Sequence, residues 1–165
     1  MILWAHGLEG SPEGAKVRAL RAAGFEIVAP DGRELPLAAR LDGLLAACER
    51  LAPQRPVLAG SSYGGLASAW LASQHPERFA GVLLLAPALH WSEPPVADAS
   101  ALVAPAGVNV IVVHGRQDAI VPIQCSRDYV ARSGQGATLV EVEDGHVLIA
   151  SMPAIVAALH QLSGR

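Results

Sequence analysis

Cysteine is scarce in this chain. Cys48 and Cys125 are the only two among 165 residues, and neither a CxxC pair nor the Cys/His spacing of a metal site surrounds them. Both read as free thiols, Cys48 on an apolar helix stripe and Cys125 at the opening of a later helix. No excess of one charge is present either. Twelve Lys and Arg stand against fifteen Asp and Glu, the net charge is −3, and the basic residues are scattered, so nucleic acid is not an expected partner. Long hydrophobic runs are also missing. Hydrophobic residues make up 52%, yet the runs at 80–85 and 108–113 are of strand length, far short of a membrane span. No basic segment precedes Ile2 to Ala5, so no secretory signal is expected and the predicted location is cytoplasmic. Repeats, low-complexity tracts and linkers are lacking, which predicts one domain over residues 1–165, long enough to bury a substantial core.

What is present alternates between two periods. Ile2 to Ala5 is an apolar run with no polar alternation, the pattern of a strand covered on both faces. Ser11 before Pro12 predicts a helix start, and Gly24 a helix end. Phe25 to Ala29 predicts a second strand. Leu37, Leu41, Leu44, Leu45, Cys48 and Leu51 recur at three and four residues, the stripe of an amphipathic helix. Further strands are expected from Val57, over Gly81 to Ala86, Val108 to Val113 and Ala137 to Val142. Helices are expected over Leu66 to Gln74, Pro122 to Arg132 and Pro153 to Leu162. Residues 87–105 hold four prolines and no sustained periodicity, the one irregular insert. Six strands alternating with helices predict an α/β fold: a three-layer α/β/α arrangement on a six-stranded all-parallel sheet. Such sheets bind ligands at the carboxyl ends of their strands.

The chain is organised around Gly60-Ser61-Ser62-Tyr63-Gly64, a Gly-x-Ser-x-Gly sequence between a strand pattern and a helix pattern. A turn that abrupt holds its central residue in strained geometry and lifts the Ser62 hydroxyl clear of the sheet. With sixteen glycines in the chain the pentapeptide alone could arise by chance; its flanks give it weight. Two more reactive groups follow late strands in the same way, Asp118 after the fifth and His146 after the sixth. A serine needs an imidazole base at neutral pH, and the imidazole needs a carboxylate to fix its tautomer. The developing oxyanion needs backbone N–H donors, for which Leu8, after the first strand, and Tyr63, after the nucleophile, are the natural candidates.

Four motifs in order carry a resemblance that covers essentially the whole chain: His6-Gly7, Gly60-Ser61-Ser62-Tyr63-Gly64, His114-Gly115-Arg116-Gln117-Asp118 before Val121-Pro122, and Gly145-His146. Together they resemble the α/β-hydrolase superfamily, in which the triad follows the chain order Ser, Asp, His. The opening His-Gly-Leu-Glu-Gly-Ser-Pro-x-x-x-Lys is similar to the small YqiA-like bacterial esterases. The resemblance implies a minimal fold lacking the first two strands, with the lid reduced to the insert at 87–105. It implies a serine hydrolase acting on small-molecule carboxylic esters through an acyl-enzyme, with no cofactor and no metal; so small a chain can build only a shallow lid, which favours small or simple acyl groups. Thioester or amide hydrolysis would use the same residues.

Each residue has a plainer reading. Ser62 could be a turn serine, Asp118 an acid at a helix start, and His146 a surface loop histidine. Ser61 precedes the apex and is expected to point aside. Asp144, two residues from His146, is expected to cap a turn. His6 and His114 are expected to fix loops by hydrogen bonds, and His75 to sit at a solvated helix end. His90 and Trp91 either line the substrate side or cover the core. Glu9, beside the proposed oxyanion donor, would oppose negative charge if it pointed inward. It supports the alternative of a non-catalytic binding module built on the same fold.

Overall fold

The computed structural model describes residues 1–164. Its strands are β1 (Ile2–Ala5), β2 (Ile27–Val28), β3 (Val57–Ser61), β4 (Gly81–Leu85), β5 (Val110–Gly115) and β6 (Ala137–Val142). Its helices are α1 (Ala15–Ala22), α2 (Leu37–Leu51), α3 (Tyr63–Gln74), α4 (Ile123–Ser133) and α5 (Met152–Ser163). All six strands form one parallel sheet in the order β2-β1-β3-β4-β5-β6. Register aligns Ala5 with Gly60 and Ser61 with Leu85, so β1, β3 and β4 end at one edge.

The near-continuous apolar strands are explained by two cores. Leu3, Leu58, Leu84 and Val112 point to one face and pack under α2 and α3 with Leu41, Leu44 and Leu66. Ile2, Trp4, Leu83, Leu85 and Val113 point to the other and pack under α1 and α5 with Val17, Leu20, Ile155 and Leu159. Successive residues of a strand face opposite sides, so both parities must be apolar. Each fully buried Leu or Val contributes about 1.5–3 kcal/mol through removal from water. Edge strand β6 is only partly buried beyond Ala137. Among the described residues no helix is long and apolar enough to cross a membrane.

Two expectations need correction, and the insert finds its seat. Helix α1 starts at Ala15, because Ser11 to Gly14 close a turn through Gly14 N–H to Ser11 O at 3.1 Å. Strand β2 shrinks to Ile27 and Val28, the only residues of 25–29 that pair with β1; Phe25 instead donates its N–H to Leu20 O at the end of α1. The insert at 87–105 lies on the α2/α3 face, with Leu89, Val96 and Ala99 in that core. Glu93 pins it there, accepting from the Leu37 amide at 2.9 Å and the Tyr63 hydroxyl at 2.6 Å.

Candidate active site

Ser62 links β3 to α3 at φ 58° and ψ −117°. A non-glycine residue in such geometry carries about 1–3 kcal/mol of strain and persists only where its surroundings hold it. Here they do. The Ser62 amide donates to Leu85 O at 2.8 Å, and its carbonyl accepts from Gly65, Leu66 and Ala88 amides at 2.9 to 3.1 Å. The flanking glycines are required by contact: a β-carbon at Gly60 would lie 2.2 Å from Gly64 O, and one at Gly64 would lie 2.1 Å from Ala5 O. Ser61 ends β3 as a buried residue.

Asp118 follows β5 and is held from four sides. One carboxylate oxygen accepts from the Ile120 and Val121 amides at 2.8 and 2.9 Å. The other meets His146 Nδ1 at 2.7 Å and His114 Nε2 at 3.2 Å. Burial, complete for this side chain, would raise its pKa; the hydrogen bonds from His146 and the two amides outweigh that and hold the carboxyl below its ordinary value. Because the carboxylate can only accept, His146 Nδ1 carries the proton, leaving Nε2 as the basic nitrogen. The His146 side chain is 20% exposed and lines a cavity of about 440 Å³ together with Ser62.

That cavity lies at the strand edge. Trp4 and Val17 form part of its wall, and the exposed side chains of Leu8, Ile120, Val147 and Ile149 surround it with apolar surface. Leu8 contributes from the loop after β1. Among the described residues neither the Leu8 nor the Tyr63 amide is engaged in a turn or capping hydrogen bond. Glu9 lines the same cavity as an exposed residue. No residue of 87–105 lines it. His90 and Trp91 are exposed and contribute to neither the cavity nor the core; Trp91 Nε1 donates to Glu93 at 3.3 Å.

The remaining polar residues fix loops. Asp144 accepts from the Gly145 amide at 2.8 Å and from the amide and hydroxyl of Ser151, both at 3.0 Å, shaping the turn that carries His146. His6 Nε2 accepts from the Gly32 amide at 3.0 Å, which leaves Nδ1 to donate to Gly7 O at 2.8 Å. His114 Nε2 donates to Val121 O at 3.0 Å, so Nδ1 accepts from the Ser126 hydroxyl at 2.7 Å. Burial keeps its pKa below the usual imidazole value. Its contact with Asp118 was not foreseen, although the four-residue spacing in His-Gly-Arg-Gln-Asp held the signal. His75 is half-buried at the end of α3. Cys48 and Cys125 are free. Among the described residues no group of three or more His, Cys, Asp or Glu is placed to hold a metal ion.

A parallel sheet with a serine elbow beyond β3, and a hydrogen-bonded Asp–His pair beyond β5 and β6, defines an α/β-hydrolase. The Esterase family matches residues 34–128, more than half the chain, and the protein belongs to that family. No curated protein matches the sequence. Among solved structures, Est1E from Butyrivibrio proteoclasticus is similar over 98% of this chain and 86% of its own, at 19% identity and TM-score 0.82. Paleococcus ferrophilus monoacylglycerol lipase is similar over 98% and 94%, at 18% identity and TM-score 0.81. A hydrolase of the alpha/beta superfamily from Xanthomonas campestris pv. campestris is similar over 99% and 97%, at 27% identity and TM-score 0.80. The protein is a hydrolase of the esterase class.

Proposed function

We propose that the protein cleaves carboxylic esters of small or simple acyl groups through Ser62, His146 and Asp118. The observation that carries this reading is that Ser62 and His146 line one cavity, while His146 Nδ1 is committed to Asp118 at 2.7 Å. Ser62 Oγ attacks the acyl carbon and its proton passes to His146 Nε2. The tetrahedral oxyanion is held by the Leu8 and Tyr63 amides. Collapse breaks the ester C–O bond, and the alcohol leaves with the proton from His146. Water then attacks the acyl-enzyme, losing its proton to Nε2; the acid departs and the Ser62 hydroxyl is restored. Asp118 remains ionised throughout, stabilising the imidazolium.

A cavity of this size with an open apolar mouth and no lining residue from 87–105 offers little area to grip a long chain, which favours small acyl groups. The test is Ser62→Ala assayed on esters graded by acyl length. Turnover falls at least about 10³-fold while the melting temperature stays close to that of the parent. Undiminished turnover in the variant overturns the mechanism.

A further inference from the structure

Arg40 is an arginine in the apolar stripe of α2, only 6% exposed. A buried guanidinium is costly to desolvate and is retained where hydrogen bonds satisfy it. Its hydrogen bonds go to carbonyl oxygens: Nε donates to Leu35 O at 3.1 Å, and Nη1 donates to His6 O at 3.1 Å and, at the longer distance of 3.5 Å, to Gly7 O. The same guanidinium lies over the Tyr63 ring, 4.9 Å from its centroid. Tyr63 is itself anchored through its hydroxyl to Glu93, which also accepts from the first residue of α2. The stem of Arg40 passes Gly32 so closely that a β-carbon there would lie 3.0 Å from Arg40 Cγ.

Two of these acceptors, His6 O and Gly7 O, belong to consecutive peptide units. In a trans peptide the N–H points opposite to the preceding C=O, so whatever fixes Gly7 O also aims the Leu8 N–H. Gly7 O is held by His6 Nδ1 at 2.8 Å and lies within reach of Arg40. A cation at the carbonyl end also polarises the unit, making its N–H a better donor. On the other side, stacking on Tyr63 seats the first residue of α3, whose amide is the second donor. We propose that Arg40 is a positioning residue that ties the loop after β1 to the start of α3 and thereby sets the geometry of the Leu8 and Tyr63 oxyanion donors. The inference rests on the proposed roles of those two amides.

The test compares Arg40→Gln and Arg40→Lys with the parent protein, each normalised to active sites titrated with a fluorophosphonate. Four quantities are read: kcat and KM on a short-chain ester, the affinity for a trifluoromethyl ketone that forms a tetrahedral adduct, and the affinity for the matching unreactive amide. In Arg40→Gln, kcat falls about 10- to 100-fold, the scale expected when one oxyanion donor is misplaced, with KM within about 3-fold. Affinity for the ketone falls in parallel, and affinity for the amide is unchanged. Arg40→Lys keeps the charge but cannot reach every acceptor, so it recovers part of the loss; it also carries the test if Arg40→Gln fails to fold. Parent-like kcat per titrated site in the folded variants, or a loss shared equally by ketone and amide, overturns the inference. Ser62→Ala separates the two readings: if it keeps turnover, the triad fails, whereas an inactive Ser62→Ala beside normal Arg40 variants sinks only the role of Arg40.

Discussion

A β-carbon on Gly115 would lie 2.2 Å from the carbonyl oxygen of Asp144. These residues close the ends of the two neighbouring strands that carry Asp118 and His146, and the loops are sewn together by Arg116 N–H to Val142 O at 2.9 Å and Gln117 N–H to Asp144 O at 3.1 Å. The 2.7 Å pairing of Asp118 with His146 therefore depends on an approach that only glycine permits. Gly115→Ala forces the loops apart because the obstacle is backbone. We expect kcat/KM to fall by about 10²-fold or more, as for displacements near 1 Å at a reacting group, together with a lower melting temperature. Steady-state kinetics on the folded fraction checks this; unchanged kinetics would contradict it.

Acid should destabilise the protein in two stages. His114 has a folded pKa below its unfolded one because burial disfavours its cation, although Asp118 opposes that shift and His146 reinforces it. The unfolded chain then binds more protons on acidification, so this contribution is complete above about pH 6.5 and declines as pH falls through the lowered folded pKa. Asp118, also depressed, adds a further decline below about pH 4, as its carboxylate is protonated in the unfolded chain first. The melting temperature of the parent should drop between pH 7 and pH 5, and His114→Asn should flatten that slope whatever its absolute stability. Equal slopes in both proteins would refute the assignment.

Ile120 and Val147 are exposed apolar side chains on the cavity wall. Replacing either by Ser touches no core contact, so stability should change within about 0.5 kcal/mol. If the acyl group lies against them, the preference for hexanoate over acetate esters, read as a ratio of kcat/KM, should fall about 3- to 10-fold, near the effect of one or two methylenes. An unchanged ratio would place the acyl chain elsewhere.

Much of the fold was legible because parallel strands buried on both faces leave short apolar runs, and α2 and β6 stand where the sequence pattern places them. The start of α1 was not, because Ser11-Pro12 suits a turn as well as a helix cap and the backbone resolved the choice at Gly14. The insert's seat was hidden as well. It is fixed by Glu93 reaching Leu37 and Tyr63, which lie 56 and 30 residues away in sequence, and no local pattern records such contacts. Ser62, Asp118 and His146 were legible as residues that follow strand ends; the framework around them was not. Arg40 reaches carbonyl oxygens 33 and 34 residues away, which no local pattern records, whereas the contact of His114 with Asp118 spans only four residues.

The central claim is that Ser62 is activated by His146. Treating the purified protein with a fluorophosphonate at neutral pH and locating the adduct by peptide mass spectrometry tests it most directly, since only an activated serine reacts quickly. The account predicts one adduct, on Ser62, absent in Ser62→Ala and formed at least about 100-fold more slowly in His146→Ala. A folded protein that forms no adduct, or forms it on Ser61 or another residue, would contradict it.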